Sequence, residues 1–214
     1  MGYIVGVVSQ KGGVGKSTLA RAVATTYAAA GWNVKVADLD INQASSFSWL
    51  QRRLAREIEP VVDVGTFGDV ARALRTVDAY DLMVLDGAPH ATRATVEIGK
   101  HAHLVVLPTG LSLDDLEPTV LLANALINEH GIPLERIAIA LVKTGDSARE
   151  LEEARSYLGA TPYHVLASQI PEKTAFRRAQ DAGQSVVECP YRGSREQADA
   201  LVQSLIDRLE AITN

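Results

Sequence analysis

Residues 9–18 read SQKGGVGKST, and this stretch decides the fold. An apolar run, YIVGVV at residues 3–8, precedes it, and a helix-like run follows at residues 19–30. Glycines let the backbone fold around an anion with several N–H groups turned inward, and the next helix adds the positive end of its dipole. Strand, glycine-rich loop and helix in this order predict a loop that holds the phosphates of a nucleoside triphosphate.

The polar residues of the loop have distinct predicted roles. Lys16 supplies a charge for the β- and γ-phosphates, and the Ser17 hydroxyl can ligate Mg²⁺. Gln10 stands where the pattern GxxxxGK[ST] has its first glycine. A glycine-rich turn without a ligand is the alternative, and the agreement of strand, loop and helix disfavours it. The predicted nucleotide-binding residues of the loop are Gly12, Gly13, Val14, Gly15, Lys16, Ser17 and Thr18.

Length and composition favour one α/β domain over residues 1–214. No apolar stretch approaches the ~20 residues that span a bilayer, and the start does not resemble a signal peptide. The single cysteine, Cys189, excludes an internal disulfide, so we expect a cytoplasmic protein. The net charge of −5 argues against a surface that binds nucleic acid everywhere, and any DNA contact would need a local basic patch.

Apolar runs alternate with helical patterns, which predicts a twisted, mostly parallel sheet with helices on both faces. Predicted strands cover residues 3–8, 33–38, 61–64, 81–86, 104–108, 137–142 and 163–166. Predicted helices cover residues 19–30, 45–58, 69–77, 113–129, 147–158, 172–182 and 194–212. Ligands of such sheets bind at the carboxyl ends of the strands, so the phosphate loop should meet the acids that end two strands.

Those acids are Asp38 and Asp40 after the second strand and Asp86 at the end of DLMVLD. Asp86 can accept a hydrogen bond from Mg²⁺-bound water or from Ser17. Strand alternation would aim Asp38 and Asp40 to the same side, where Asp40 could orient or deprotonate the attacking water and Asp38 could organise the metal shell. The alternative for each is an ordinary solvated acid at a strand end.

Lys11 is the unusual member of the loop, because Lys16 already serves the phosphates. A second lysine could reach out of its own loop to a nucleotide held by another subunit. Phosphoryl transfer gains much from a cation that arrives on the transferring group. The alternative is a solvated loop lysine.

Three segments together, QKGGVGKST, DLDINQ and VLDGAP, resemble the deviant Walker A group of P-loop ATPases. Within that group the chain resembles the ParA family over nearly its whole length. The resemblance implies that Lys11 is the signature lysine that reaches the partner's ATP and that Asp40 is linked to water activation. It also implies that Lys16 is the phosphate lysine, that Ser17 is the Mg²⁺ ligand and that Asp86 is the Walker B acid.

The late segment, residues 168–188, is similar to the part of the family that packs by the adenine and continues into a basic helix. Ile170 and Pro171 are the predicted adenine contacts. The family often has Pro after the second acid and Thr or Pro after Walker B, whereas this chain has Ile41 and Gly87 there. These differences remove no charged group.

The resemblance implies an ATP-dependent homodimer that needs ATP and Mg²⁺, binds DNA without sequence preference, and is released when a partner stimulates slow hydrolysis. The partner would be ParB-like or a small centromere or cargo-adaptor protein, and no membrane is expected. The chain begins at the first strand, so we expect no N-terminal helix-turn-helix and no site-specific operator binding. The candidate DNA-binding residues are the densest late cations, Lys173, Arg177, Arg178, Arg192 and Arg195.

Two other functions stay open. A MinD-like, membrane-switched ATPase would end in a cationic amphipathic helix with bulky apolar residues, whereas residues 198–214 have one Arg, three acids and no aromatic residue. A metabolic ligase similar to dethiobiotin synthetase would need its own substrate pocket, and the early Lys11 favours the switch class. His101 and His103 share a strand-like pattern but have no third metal ligand at a suitable spacing.

Overall fold

A computed structural model describes residues 2–89 and 93–214. Its strands are β1 Tyr3–Val7, β2 Val34–Asp38, β3 Asp63–Thr66, β4 Leu82–Asp86, β5 Leu104–Thr109, β6 Ile137–Thr144, β7 His164–Val165 and β8 Ile170–Pro171. Its α-helices are α1 Lys16–Ala29, α2 Ser45–Leu54, α3 Val70–Leu74, α4 Arg93–His101, α5 Leu113–Asn128, α6 Ala148–Gly159, α7 Thr174–Asp181 and α8 Arg192–Thr213.

The strands form one parallel sheet in the order β3-β2-β4-β1-β5-β6-β7, with β8 also paired to β6. β7 pairs with the first half of β6 and β8 with its second half, so the two short strands share one side of β6. β1 lies in the middle, between β4 and β5. The carboxyl ends of β1, β2, β4 and β6 therefore open onto the same edge of the sheet, as predicted.

Alternating side chains of each central strand enter two separate cores. In β1, Val5 and Val7 face the core that contains α1, α2, α7 and α8. Ile4 and the adjoining Val8 face the other core, which contains α3, α4, α5 and α6. Strands buried on both faces read as continuous apolar runs, which explains why YIVGVV and DLMVLD were recognisable. The prediction of a parallel sheet with helices on both faces is confirmed.

Several element boundaries differ from the sequence-based expectation. α1 begins at Lys16 rather than residue 19, because the left-handed Gly15 (φ 97°) starts the helix directly. α2 ends at Leu54 rather than residue 58. The chain reverses there, with Glu57 at φ 51° and the N–H of Ile58 bonded to the carbonyl of Arg53. α8 begins at Arg192, two residues before the predicted start.

α4 and β8 were not predicted from the sequence. α4 has the sequence RATVEIGKH, whose β-branched residues and glycine weaken a helical pattern. The strand-like pattern assigned to two histidines was therefore wrong. His101 is the last residue of α4, and His103 precedes β5, where its Nδ1 accepts a hydrogen bond from the N–H of Ile4 at 2.9 Å.

The segment between α7 and α8 is fastened to α2 by buried polar contacts. Trp49 Nε1 donates to the carbonyl of Gln184 at 3.0 Å. Arg53, which is 1% exposed, donates to both carboxylate oxygens of Glu188 at 2.8 and 2.7 Å and stacks on the Trp49 ring. Gly183 has a φ of +85°, and a Cβ there would lie 2.5 Å from the backbone nitrogen of Arg53. The tight approach of the two segments therefore requires a glycine.

We expect Gly183→Ala to lower the free energy of unfolding by about 3 kcal/mol, because the new methyl adds a backbone clash to the left-handed conformation. Gly31→Ala separates the two causes: Gly31 has φ +87° with open space around its Cβ, so this control should lose about 1 kcal/mol. Urea unfolding followed by circular dichroism measures both. Equal losses in the two variants would contradict the contact with α2.

Candidate nucleotide-binding site

The phosphate loop, residues 9–15, joins β1 to α1 and depends on two glycines with positive φ. Gly13 (φ +80°) has open space where a Cβ would point, so its backbone faces the cleft freely. Gly15 (φ +97°) lies against β6, and a Cβ there would come within 2.5 Å of Val142 Cγ1. Only glycine allows this close packing of the loop on the sheet, which fixes the loop at the start of α1.

A cleft of about 220 Å³ opens over the loop at the carboxyl edge of the sheet. It brings together loop residues and all three predicted acids, which come from separate parts of the sequence. The lining residues are Gly12, Gly13, Gly15, Lys16, Ser17, Thr18, Arg21, Asp38, Asp40, Gln43, Ser45, Asp86, Gly87, Pro89 and Lys143.

Lys16 is a buried cation in this cleft. Its Nζ donates to the carbonyl of Lys11 at 3.1 Å, across the mouth of the loop. Burial lowers the pKa of Lys16, and the negative charges of Asp86 and Asp40 oppose that shift. An ammonium placed here with backbone N–H groups around it is suited to bind phosphate oxygens.

Asp86 is a fully buried carboxylate at the end of β4. Ser46 Oγ donates to its Oδ2 at 2.8 Å, and Ser17 also hydrogen-bonds to it. Burial raises the pKa of Asp86 to about 6, and the neighbouring charge of Asp38 acts in the same direction. The hydrogen bonds of the two serines and the charge of Arg21 oppose the shift. An additional cation beside this carboxylate would therefore favour its ionised form.

Asp38 lies beside Asp86 in register and holds the start of α2. Its Oδ1 accepts from the N–H of Asp40 at 3.1 Å, and its Oδ2 accepts from the N–H groups of Ser46 at 2.8 Å and Phe47 at 3.3 Å. Burial raises the pKa of Asp38, and these backbone hydrogen bonds oppose the shift. Its oxygens thus bind the backbone, so an effect of Asp38 on the metal shell, which stays a prediction, would act through Asp86 and α2.

Asp40 is half-buried at the rim of the cleft, in the turn between β2 and α2. Its Oδ1 accepts from the N–H of Gln43 at 3.1 Å, and its carbonyl accepts from the N–H of Ala44 at 2.7 Å. The turn therefore holds Asp40 at the same cleft as Lys16, and its action on the attacking water stays a prediction.

Lys11 does not line the cleft. Its Nζ forms an ion pair with Asp115 Oδ1 at 2.7 Å, in the first turn of α5. The main chain of Lys11 is nevertheless part of the loop, because its N–H donates to Ser9 Oγ and its carbonyl accepts from Lys16. The side chain of Lys11 thus contacts α5, whereas its backbone contacts the phosphate loop.

A second cavity of about 320 Å³ adjoins the cleft and shares Thr18, Arg21 and Lys143 with it. Ile170 and Pro171 of β8 line it, where the resemblance predicted an adenine contact. The remaining lining residues are Arg52, Glu172, Lys173, Phe176, Arg177, Gln180, Asp181 and Val186. Because the two cavities share these lining residues, they form one continuous trench, in which the phosphates would lie on the loop and the base beside β8.

Two cations of this trench escaped the sequence analysis. Arg21 is buried on α1, where its Nε donates to Ser46 Oγ at 3.2 Å and its NH1 to Gln180 Oε1 at 3.3 Å. Lys143, the penultimate residue of β6, has a left-handed conformation, φ +58°, at a register shift between β6 and β8. A positive φ outside glycine is uncommon and clusters at functional sites. Helical spacing from Ser17 could have indicated Arg21, whereas nothing local indicates Lys143.

The five candidate DNA-binding cations fall into two groups. Lys173 and Arg177 line the second cavity, where Lys173 Nζ donates to Gln197 Oε1 and Arg177 pairs with Glu172 at 3.2 Å. Lys173 and Arg177 are thus placed beside the predicted position of the nucleotide base and not on an open surface. The others lie outside both cavities and on two helices: they are Arg178 on α7 and Arg192 and Arg195 on α8. Arg192 is highly exposed and paired with Glu196 at 2.7 Å.

The residues of the cleft fit an Mg²⁺-nucleotide. Mg²⁺ is usually held by one or two protein oxygens together with substrate phosphates and water, and Ser17 and Asp86 supply such oxygens. Among the described residues no group of three or more His, Cys, Asp or Glu could hold a metal ion by itself. The phosphates would therefore complete the coordination. Within residues 2–89 and 93–214, no helix is both long and apolar enough to cross a membrane.

This fold and this loop define a P-loop nucleotide-binding protein. The sequence profile of the CobQ/CobB/MinD/ParA nucleotide binding domain matches residues 5–186, so the chain belongs to that family. No curated protein sequence matches the chain significantly.

Solved structures share the fold at low sequence identity. MinD of Pyrococcus horikoshii complexed with Mg-ADP has a TM-score of 0.75 at 18% identity, covering 100% of this chain and 99% of that one. A putative plasmid partition protein of Borrelia burgdorferi bound to AMPPNP has a TM-score of 0.75 at 16% identity, covering 97% and 100%. Apo McdA of Cyanthece has a TM-score of 0.74 at 15% identity, covering 96% and 100%.

The pKa of Asp86 predicts a pH-dependent stability for the protein without nucleotide or metal. Because the folded pKa of about 6 exceeds the ordinary value of 3.8, the native state holds the extra proton between these values. The free energy of unfolding should therefore fall as pH rises from about 4 to 6. Asp86→Asn removes this dependence, so the variant should be more stable than the wild type by about 2–3 kcal/mol at pH 7, and the difference should shrink towards pH 4.

Urea unfolding in EDTA at several pH values measures this difference. The exposed Asp78→Asn is the control, and its stability should track that of the wild type across the range. A pH-independent gain in Asp86→Asn would contradict the raised pKa.

Proposed function

We propose that the protein is an ATP-hydrolysing switch of the ParA type, which forms an ATP-dependent dimer, binds DNA without sequence preference and positions a plasmid, chromosome or other cargo. The observation that carries this proposal is that the two lysines of one loop direct their ammonium groups to different places. Lys16 is buried inside the cleft, whereas Lys11 directs its ammonium out of it. One lysine is thus available for the chain's own nucleotide and the other for a nucleotide outside that cleft.

In the proposed reaction the loop and Lys16 bind the β- and γ-phosphates and neutralise their charge. Mg²⁺, when bound, adds a further positive charge that stabilises the transferring phosphoryl group. Ser17 would help to hold the metal through its hydroxyl oxygen, and the Asp86 carboxylate would accept a hydrogen bond from a water on the metal. Asp38 keeps α2 in place, and with it Ser46, whose hydroxyl donates to Asp86.

Asp40 would act on the attacking water. Its carboxylate lies at the rim of the same cleft as Lys16, held by the Gln43 amide, so one of its oxygens can accept a proton or a hydrogen bond from a water above the γ-phosphate. The water attacks phosphorus, the bond to the ADP oxygen breaks, and the water's proton passes to the carboxylate or to phosphate.

Dimerisation would bring the second lysine into use. A Lys11 side chain that reaches the partner's triphosphate adds a cation to the transferring group, so hydrolysis is fast only in the dimer. Exposed apolar residues near the cleft, Ile41 in the Asp40 turn and Leu113 at the start of α5, favour a contact at this edge. Two subunits that face each other across their nucleotides would cover both.

The DNA-binding part of the proposal rests on the cations outside the trench and on the Borrelia plasmid partition protein among the structural neighbours. A dimer would double the number of these cations, Arg178, Arg192 and Arg195, and non-specific affinity comes from neutralising DNA phosphates. The hydrolysis-stimulating partner would be ParB-like or a small adaptor of the cargo.

A membrane-switched function like that of MinD is less favoured by α8. Its apolar residues Leu201, Leu205 and Leu209 are buried in the core beside α1. A helix that lies on a membrane needs an apolar face free for lipid. α8 would have to leave the core to supply one.

Two substitutions separate binding from hydrolysis. Lys16→Ala removes the phosphate cation and should weaken ATP binding at least 100-fold, an effect of the size expected for a desolvated charge-assisted contact. Asp40→Ala should bind ATP normally and form the dimer but hydrolyse it at least 100-fold more slowly. Calorimetry with Mg²⁺-ATP and a phosphate-release assay measure the two steps. Normal turnover in Asp40→Ala would remove this residue from the mechanism.

DNA binding is tested with charge reversal at Arg178 and Arg192, which lie outside the nucleotide trench. The double variant Arg178→Glu/Arg192→Glu should bind ATP normally but bind DNA more weakly, with a salt slope lower by roughly one unit for each DNA phosphate that it no longer neutralises. Arg149→Glu on α6, an exposed arginine that is also paired with a glutamate, is the matched control. The assay is run with ATP, with ADP and without nucleotide.

Retention of DNA only with ATP, weakened in the double variant alone, supports the proposed function. Unchanged DNA binding in the double variant would move the DNA surface elsewhere. No DNA binding by the wild type under any condition would favour the membrane-switched or metabolic alternatives.

A further inference from the structure

The ion pair between Lys11 and Asp115 joins the phosphate loop to the start of α5. The two residues are 104 positions apart in the sequence. Both side chains are partly exposed, 39% and 27%, and the two atoms are 2.7 Å apart. Pairs of this exposure contribute little to stability and exchange readily with other partners. The contact is therefore suited to a reversible role rather than to holding the fold together.

The surroundings of Asp115 are shaped to receive it. Gly110, at the end of β5, has no side chain, and a Cβ there would lie 2.4 Å from Asp115 Oδ2. Ser112 Oγ donates to the same oxygen at 3.2 Å, which leaves Oδ1 for Lys11. The carboxylate is thus oriented by its own loop, and the lysine is the partner that can leave.

The backbone of Lys11 connects this pair to the nucleotide cleft. Its carbonyl accepts a hydrogen bond from Lys16 Nζ, the ammonium that is expected to bind phosphates. A triphosphate in the loop competes for that ammonium and so removes one hydrogen bond that holds the Lys11 residue in place. The arrival of nucleotide and the release of Lys11 would therefore be linked within one loop.

We propose that Asp115 is a positioning residue that keeps the Lys11 ammonium in an ion pair within its own chain until ATP is bound and a second copy of the chain presents its triphosphate. The inference rests on the proposed dimer. In the dimer the Lys11 ammonium exchanges the Asp115 carboxylate for the partner's phosphate oxygens. Asp115 thus opposes dimerisation and sets the ATP level at which it occurs.

The direct test compares Asp115→Asn with Asp114→Asn. Both replace an acid in the first turn of α5, but only Asp115 contacts Lys11. Each subunit of a dimer gives up one weak ion pair, so Asp115→Asn should tighten the ATP-bound dimer about fivefold, and Asp114→Asn should leave it unchanged. Analytical ultracentrifugation over a range of protein concentrations at saturating Mg²⁺-ATP gives the dissociation constants.

A second variant displaces the carboxylate without removing its charge. Gly110→Ala places a methyl against Asp115 Oδ2 and should shift the dimer in the same direction as Asp115→Asn. In the background of Lys11→Ala, Asp115→Asn should have no further effect, because the residue that it holds is absent. A purely structural role of Asp115 would give the same change with and without Lys11.

A measurement without nucleotide tests the pair itself. Lys11 should be acetylated by trace isotopic acetic anhydride about threefold faster in Asp115→Asn than in the wild type, with Lys100 on α4 as the internal reference. An unchanged acetylation rate, or an Asp115→Asn dimer that is equal to or weaker than the wild type, overturns the proposal. If Lys11→Ala dimerises and hydrolyses ATP normally, the proposed function of Lys11 fails instead, whatever the acetylation rate shows.

Discussion

Charged side chains are buried together at the carboxyl edge of the sheet, and the site depends on their mutual compensation. Lys16 and Arg21 come from α1, and Asp38 and Asp86 end two strands that are paired in register. Burial of an isolated charge is strongly unfavourable, so each of these groups needs the opposite charges and hydrogen bonds of the others. Burial and the repulsion between the two carboxylates raise the pKa of Asp86, and further positive charge from a metal ion relieves that repulsion. A bound cation with phosphates would therefore lower the electrostatic repulsion between Asp38 and Asp86.

β6 connects the phosphate end of the trench to the base end. Val142 lies beneath Gly15 of the loop and pairs with Ile170 of β8, while the next residue, Lys143, turns towards both cavities. The register shift between β6 and β8 permits this turn. A single strand therefore sets the distance between the phosphate loop and the second cavity, where the base is predicted to bind.

The parts of the site that sequence predicted are those with a local signature. The phosphate loop, Asp40 and Asp86 each lie at or just after the end of an apolar strand, and the parallel topology brings strand ends together without further information. Arg21, Ser46 and Lys143 were missed because their places depend on the packing of α1 against α2 and on a backbone conformation at the end of β6. The basic segment around α7 was recognised, but its sequence did not reveal that Lys173 and Arg177 face the second cavity. α4 was missed because short helices with β-branched residues have weak local preferences.

α2 is held by polar contacts near both of its ends. At one end, Asp38 and Asp86 hold the amide and hydroxyl of Ser46, and further along Trp49 and Arg53 hold the chain between α7 and α8. α2 therefore extends from the buried acids of the cleft to the wall of the second cavity. Ten residues of continuous helix join the two attachment points. A displacement of the acids would therefore be transmitted through α2 to the wall of the second cavity.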